Sequence, residues 1–356
     1  MTRIKVDALR IQQQAEQQQD LARRINSTAR STCPHLPTPH RVLMRSGSLQ
    51  LLKFEPVTES RIKTPLLICY ALVNRPWILD LSPQHSMIRS LLAEGIPVYL
   101  IDWGYPGRCD RHLTLDDYLT DLLDRCVDKV CTDSDSKSVN LMGVCQGGVF
   151  SLCYSLLYPQ KVLNLITMVT PVDTSVSRFT LNRLTREIDI KLATQTYGNL
   201  PGLLLNELFT ALQPMRLGLE KRLAASRQLC ADDATVQHYL LMEQWLQDCP
   251  DLAGEALHDF IGLFFRDNAL MSRQGFKLAG STLRLKTLSQ PLLNIYGKRD
   301  QLVPPEASSA LKPTLKGKDY SEIIVDAGHI GVLNGGRALK TLPPQIRTWL
   351  QEREPA

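Results

Sequence analysis

Residues 139–159 read VNLMGVCQGGVFSLCYSLLYP. Val139–Met142 is a short apolar run ending at a glycine, the signature of a buried strand. Val149–Tyr158 is mainly apolar and is closed by Pro159, which cannot continue a helix. Between the two lies Gly143-Val144-Cys145-Gln146-Gly147-Gly148. A strand that turns within a few residues into a helix, with glycines two places before and two places after a nucleophilic side chain, is a G-x-S-x-G elbow carrying sulfur instead of oxygen. The residue at the tip of such a turn is held at positive φ. Gly143, Gly147 and Gly148 flank it because side chains there would collide with neighbouring backbone. The helix that begins at Gln146 aims its first N–H groups at the tip, which favours a thiolate and offers Gln146 N–H to a developing oxyanion. A bare G-x-C-x-G also fits a buried structural thiol; its place between strand and helix is what points to a nucleophile.

Upstream of the elbow, Leu66–Tyr70 (LLICY) and Val98–Ile101 (VYLI) are further buried strands, and Leu163–Val169 (LNLITMV) comes after it. Pro83–Ala93 and Leu115–Val130 carry apolar residues at helical spacing between them. This alternation predicts a mostly parallel, doubly wound sheet. From about residue 175 to 285 the alternation stops and the pattern is helical throughout, clearest over Leu203–Leu212, Glu220–Leu229 and Val236–Leu246. Two strands then resume the sheet, Pro291–Tyr296 and Tyr320–Val325. With the elbow, this predicts an α/β-hydrolase fold with a helical cap inserted between strands 6 and 7, over the sheet edge where ligands bind. The expected organisation is a Gln-rich N-terminal helix and Pro-rich loop (1–40), a catalytic core (41–174 and 286–356) and a cap (175–285). The N-terminal helix covers residues 4–26 with a thin apolar stripe, fit for a surface helix or for docking a partner.

An elbow of this kind needs an acid and a histidine later in the chain, in that order. Asp300 follows the strand of Pro291–Tyr296, and His329 follows that of Tyr320–Val325. Among other carboxylates at strand ends, Asp173 is the alternative acid, Asp326 a further one, and Asp102 reads as ordering its own loop. His35, His40, His85, His238 and His258 read as surface or packing residues.

The whole-chain numbers narrow the classes. A chain of 356 residues with 44% hydrophobic and 22% charged residues is globular. Its longest apolar runs are too short to span a bilayer, and its N-terminus lacks an apolar signal segment, so the expected location is cytoplasmic. Nine cysteines without a C-x-x-C pair predict neither disulfides nor a zinc site, and no metal is expected. A net charge of +5 without a basic, aromatic-interleaved run predicts no nucleic acid partner.

Sulfur at the elbow points to acyl transfer. A thiolate attacking a thioester exchanges one sulfur leaving group for another, so the acyl group stays activated on the enzyme and can pass downhill to a hydroxyl. His329 would take the proton from Cys145 and later from the alcohol, with Asp300 orienting it or assisting the hydroxyl. A Cys-dependent thioesterase or esterase, and a non-catalytic scaffold of the same fold, are the competing readings.

These residues resemble the polyhydroxyalkanoate synthases from about residue 40 to the end. The likeness rests on Cys69-Tyr-Ala-Leu-Val-Asn-Arg-Pro76, Ile101-Asp-Trp-Gly-Tyr-Pro106, the Gly-Val-Cys-Gln-Gly-Gly box, Gly254-Glu-Ala256, and Gly297-Lys-Arg-Asp-Gln-Leu-Val-Pro304 with Gly328-His329. It implies polymerisation of (R)-3-hydroxyacyl-CoA, chiefly 3-hydroxybutyryl-CoA, at the surface of a polyester granule. No cofactor is implied, CoA being the leaving group of the substrate. The family's catalytic residues fall on Cys145, Asp300 and His329, and its second oxyanion donor on backbone near Val73 and Asn74. The chain's length, and Gln146 after the nucleophile, resemble the class III type, which implies a companion PhaE-type subunit in a homo- or hetero-oligomer.

Overall fold

The computed structural model of the chain describes residues 36–212 and 232–355. The expected N-terminal helix, His35 and the Glu220–Leu229 stretch lie outside the described residues. Eight strands form the main sheet: β1 His40–Ser46, β2 Leu49–Phe54, β3 Leu66–Cys69, β4 Val98–Asp102, β5 Val139–Val144, β6 Val162–Met168, β7 Leu292–Gly297 and β8 Tyr320–Val325, in spatial order β1-β2-β4-β3-β5-β6-β7-β8. From β4 across to β8 every pairing is parallel. The sequence pattern did not locate β1 and β2. They form an antiparallel hairpin turning at Gly47 (φ 57°), and β2 pairs antiparallel with β4.

Alternation along the central strands sorts the core into two layers. On β3, Leu67 and Cys69 face one side and Leu66 and Ile68 the other. The first side is covered by the helical stretch Leu115–Ser134 and by α3 (Gln146–Leu157). The second is covered by α1 (Met87–Ala93) and the C-terminal helix Gly336–Gln351. Both faces of β3 through β7 are therefore buried, and those strands read as mainly apolar runs whose few polar side chains, such as Asn140 with Asn164 and Thr167 with Asn294, bond to one another across strands. Leu115–Ser134, of which Asp124–Ser134 is α2, is wound as a π-helix over Tyr118–Leu123.

Between β6 and β7 the chain forms an insert carrying α4 Thr180–Glu187, α5 Ile190–Tyr197, α6 Gly202–Leu212, α7 Asp233–Gln247 and α8 Gly254–Phe260. The all-helical expectation is corrected here. Phe276–Leu278 and Ser281–Leu283 pair as a short antiparallel hairpin that places Phe276 and Leu283 in the core. The insert is fastened to the core where Phe260 meets Phe150 of α3 edge-on at 6.0 Å, and within the insert Phe260 packs on Phe265 at 5.5 Å and Phe264 at 5.1 Å. Gly254 sits where a Cβ would lie 2.1 Å from the Gly198 carbonyl oxygen, which lets α8 approach the end of α5. No helix among the described residues is long and apolar enough to cross a membrane.

Candidate active site

Cys145 occupies the turn between β5 and α3 with φ 54° and ψ −117°, a conformation that a non-glycine residue keeps only where its surroundings impose it. Glycines impose it. A Cβ on Gly143 would stand 2.4 Å from Gly148 Cα, one on Gly147 2.1 Å from the Cys69 carbonyl oxygen, and one on Gly148 1.9 Å from Thr170 Oγ1. Cys145 N–H donates to the Met168 carbonyl at 2.8 Å, and Gly148 N–H donates to the Cys145 carbonyl at 3.0 Å.

Asp300 and His329 reach the elbow from the loops after β7 and β8. Asp300 is 1% exposed, and its Oδ1 accepts the Leu302 and Val303 N–H groups at 2.9 Å each. Those bonds aim Oδ2 at His329 Nδ1, 2.7 Å away. A carboxylate can only accept, so Nδ1 donates to it and Nε2 is left facing Cys145, whose charge bears on the ring. Burial of the ring disfavours its charge. The charges of Asp300 and Cys145 and the hydrogen bond to Asp300 outweigh that, and the His329 pKa is raised to about 10. The two loops are tied together: Arg299 N–H donates to the Ala327 carbonyl at 3.0 Å, and its guanidinium to the Asp326 carbonyl at 2.7 Å.

The loop after β3 closes the site from the other side. Gln146 is 7% exposed and its side-chain Oε1 accepts Leu72 N–H at 3.0 Å, so the residue after Cys145 holds this loop with its side chain. Asn74 adopts φ 55°, and its N–H lies beside the sulfur of Cys249 in the insert. Val73 N–H, between these two, has no hydrogen-bond partner among the described residues.

This elbow and acid–histidine pair sit in a chain with close relatives. A family model of the alpha/beta hydrolase fold matches residues 64–336, and one of the poly-beta-hydroxybutyrate polymerase (PhaC) N-terminus matches residues 16–91. The chain is 44% identical over 317 residues to poly(3-hydroxyalkanoate) polymerase subunit PhaC of Thiocystis violacea, covering 89% of each. It is 47% identical over 289 residues to that of Allochromatium vinosum, covering 81% of each. The chain belongs to the PhaC family. To the Synechocystis PhaC it is 42% identical, over 89% of this chain and 85% of that one. Among solved structures, a bacterial membrane phospholipase A superposes with TM-score 0.51 at 17% identity, over 90% of this chain and 87% of that one. A Nitrososphaera gargenis carboxylesterase does so with TM-score 0.50 at 15% identity, over 88% and 99%. These two share the fold.

The other candidates of this PhaC family member have structural employment. Asp173 Oδ1 accepts from Ser175 N–H at 2.9 Å and from Asn268 Nδ2 at 2.9 Å, so it braces the start of the insert. Asp102 accepts Gly104 N–H at 3.0 Å and pairs with Arg75 at 2.6 Å. Asp326 pairs with Arg299. His85 and His238 stack on each other at 4.2 Å, His258 lies beside Asp259, and His40 contacts the Thr38 carbonyl. Cys69, Cys126 and Cys153 are buried thiols, and desolvation pushes all three up, Cys69 to about 12. Among the described residues no group of His, Cys, Asp and Glu converges as a metal site would. Sequence reasoning passed over Trp245, Asp248 and Cys249, which meet the loop after β3. They lie at and just beyond the end of a helix in the insert and carry no motif, so no local signal marks them.

Proposed function

We propose that this chain is a poly(3-hydroxyalkanoate) polymerase in which Cys145 is the nucleophile, His329 the general base and acid, and Asp300 the residue that orients His329. The observation that carries the reading is a cysteine at positive φ, facing a histidine that is itself held by a buried carboxylate, in a chain of the PhaC family. In the first half-reaction, with His329 Nε2 already holding the proton of the pair, the Cys145 sulfur attacks the carbonyl carbon of a (R)-3-hydroxyacyl-CoA, chiefly 3-hydroxybutyryl-CoA. The carbon–sulfur bond to CoA breaks, and the departing CoA sulfur takes the proton from His329. In the second half a polyester hydroxyl gives its proton to His329 as its oxygen attacks the Cys145 thioester. An oxygen ester forms and the Cys145–His329 pair regains its proton. The first exchange is nearly isoenergetic and the second runs downhill, which is the advantage of sulfur at the elbow.

The tetrahedral oxygen needs two donors. Gln146 N–H, at the first turn of α3, is one. Val73 N–H is the other, because its neighbours are engaged: Leu72 N–H on the Gln146 side chain and Asn74 N–H beside the Cys249 sulfur. The insert serves as a cap that keeps water from the Cys145 thioester while a hydroxyl is awaited.

The reading extends to assembly and place. The relatives are named as subunits, which supports a class III enzyme working with a PhaE-type companion, cytoplasmic and bound to polyester granules. Incubation with 3-hydroxybutyryl-CoA tests the activity. Free CoA with insoluble polyester is expected; CoA with free 3-hydroxybutyrate would mean a thioesterase instead. The isolated chain is expected to show a lag that co-expression with the companion removes, and full immediate activity alone would defeat the two-subunit reading.

A further inference from the structure

Val73 N–H has no side chain of its own to aim it, so its direction is set by whatever grips the residues around it. One grip is in the core: Gln146 Oε1 on Leu72 N–H. Further grips on Asn74, Arg75 and Trp77 come from one short stretch of the insert, Trp245–Cys249, at the end of α7. Trp245 Nε1 donates to the Arg75 carbonyl at 2.7 Å, and the Trp245 carbonyl accepts from Asn74 Nδ2 at 3.4 Å. Asp248 receives two bonds: its Oδ2 accepts from Trp77 Nε1 at 2.8 Å, and its Oδ1 from the Tyr105 hydroxyl at 2.6 Å. The Tyr105 ring lies over the Arg75 guanidinium, 4.1 Å from its centre, and Arg75 pairs with Asp102 at the end of β4. The Cys249 sulfur lies beside Asn74 N–H. The strained Asn74 turn is thus held on its far side by the insert.

We propose that Asp248, together with Trp245, is a positioning residue for the oxyanion hole: the insert, when seated, fixes the loop Asn74–Trp77 and through it the direction of Val73 N–H. The inference rests on the assignment of Val73 N–H as a donor in the polymerase reading. Its consequence is that the insert does more than exclude water. When it lifts to admit acyl-CoA or a polymer end, Trp245 and Asp248 leave the loop and the hole loses its second donor. Cys145 is then competent only while the site is covered, which couples acyl transfer to exclusion of water.

Asp248→Ala in the full-length chain tests this. A lost oxyanion donor costs about 10²–10³-fold where the donor itself is removed; a donor left in place but unaimed costs less. The expected result is a fall in kcat of about tenfold or more with KM within about twofold, and an unchanged melting temperature. Asp248→Asn keeps one acceptor oxygen and is expected to recover part of the loss. Tyr105→Phe, a change at a half-exposed ring, removes one of the two bonds and serves if Asp248→Ala does not fold. A second readout needs no turnover: a trifluoromethyl ketone analogue of the acyl-CoA, which adds Cys145 to its carbonyl and places an oxyanion in the hole, is expected to bind Asp248→Ala more weakly by the same factor as kcat falls. A CoA thioether, which forms no oxyanion, is expected to bind both proteins alike. Equal ketone affinity in wild type and variant overturns the positioning role. Absence of CoA release by wild type overturns the polymerase reading, and the ketone comparison still decides the role of Asp248.

Discussion

At the scale of single residues, the site depends on Cys145 being both exposed to a carbonyl and unable to relax out of its turn. Cys145→Ser keeps the geometry but exchanges a thioester intermediate for an oxygen ester, which discards the acyl group's activation. Cys145→Ala removes the nucleophile, and CoA release is expected to fall by at least ~10⁴-fold, measured as single-turnover release of CoA. Asp300→Asn is expected to cost about 10³–10⁴-fold, since an amide at that place can hold the imidazole in the wrong tautomer. The pH dependence has a definite sign. The His329 pKa is raised from an ordinary 6.5 to about 10, so the pair with Asp300 contributes stability that is fully present below about pH 6.5 and is lost as pH rises through about 10. Urea unfolding of wild type and Asp300→Asn is therefore expected to differ most near pH 6, with the gap closing toward pH 10.

At the scale of elements, β3 through β7 and α3 are legible because each is a short, mainly apolar run, and the elbow is legible because its glycines obey a local steric rule. Two glycine changes separate that rule from mere helix weakness. Gly147→Ala drives a Cβ into the Cys69 carbonyl at 2.1 Å, backbone that cannot step aside. Overpacking of this kind costs about 1–3 kcal/mol, and a site pinned by two strands belongs at the upper end. Gly262, on the helix Ile261–Arg266, has nothing within 4 Å of its would-be Cβ. Gly262→Ala is expected to be neutral or to stabilise by up to about 1 kcal/mol, because alanine loses less backbone freedom in a helix. Denaturant midpoints of the two variants should move apart. Less legible were β1 and β2. Their half-exposed residues, such as Val42 and Arg45 against buried Leu49 and Leu51, give no continuous run, and their place in the sheet comes from pairing with β4. The hairpin Phe276–Leu283 is three residues a side and too short for any period to emerge.

At the scale of the whole molecule, the parallel sheet gathers the loops after β3, β5, β7 and β8 at one edge, and the insert lies over them. Two kinds of information meet there. The chain order of Cys145, Asp300 and His329, the elbow and the buried strands were all readable from the chain alone, since each depends on residues within a few positions of one another or on their order. Asp248 reaching Trp77 across 171 residues, Trp245 holding the Arg75 carbonyl, and the choice of Val73 over its neighbours as the free N–H exist only after the chain has folded. A hydrogen bond between distant segments leaves no periodicity in either one; it is set by where the topology carries each segment and by which donors nearby are already engaged. The amino-acid sequence thus specified the groups proposed to react, and tertiary packing decided which backbone amides beside them are already engaged.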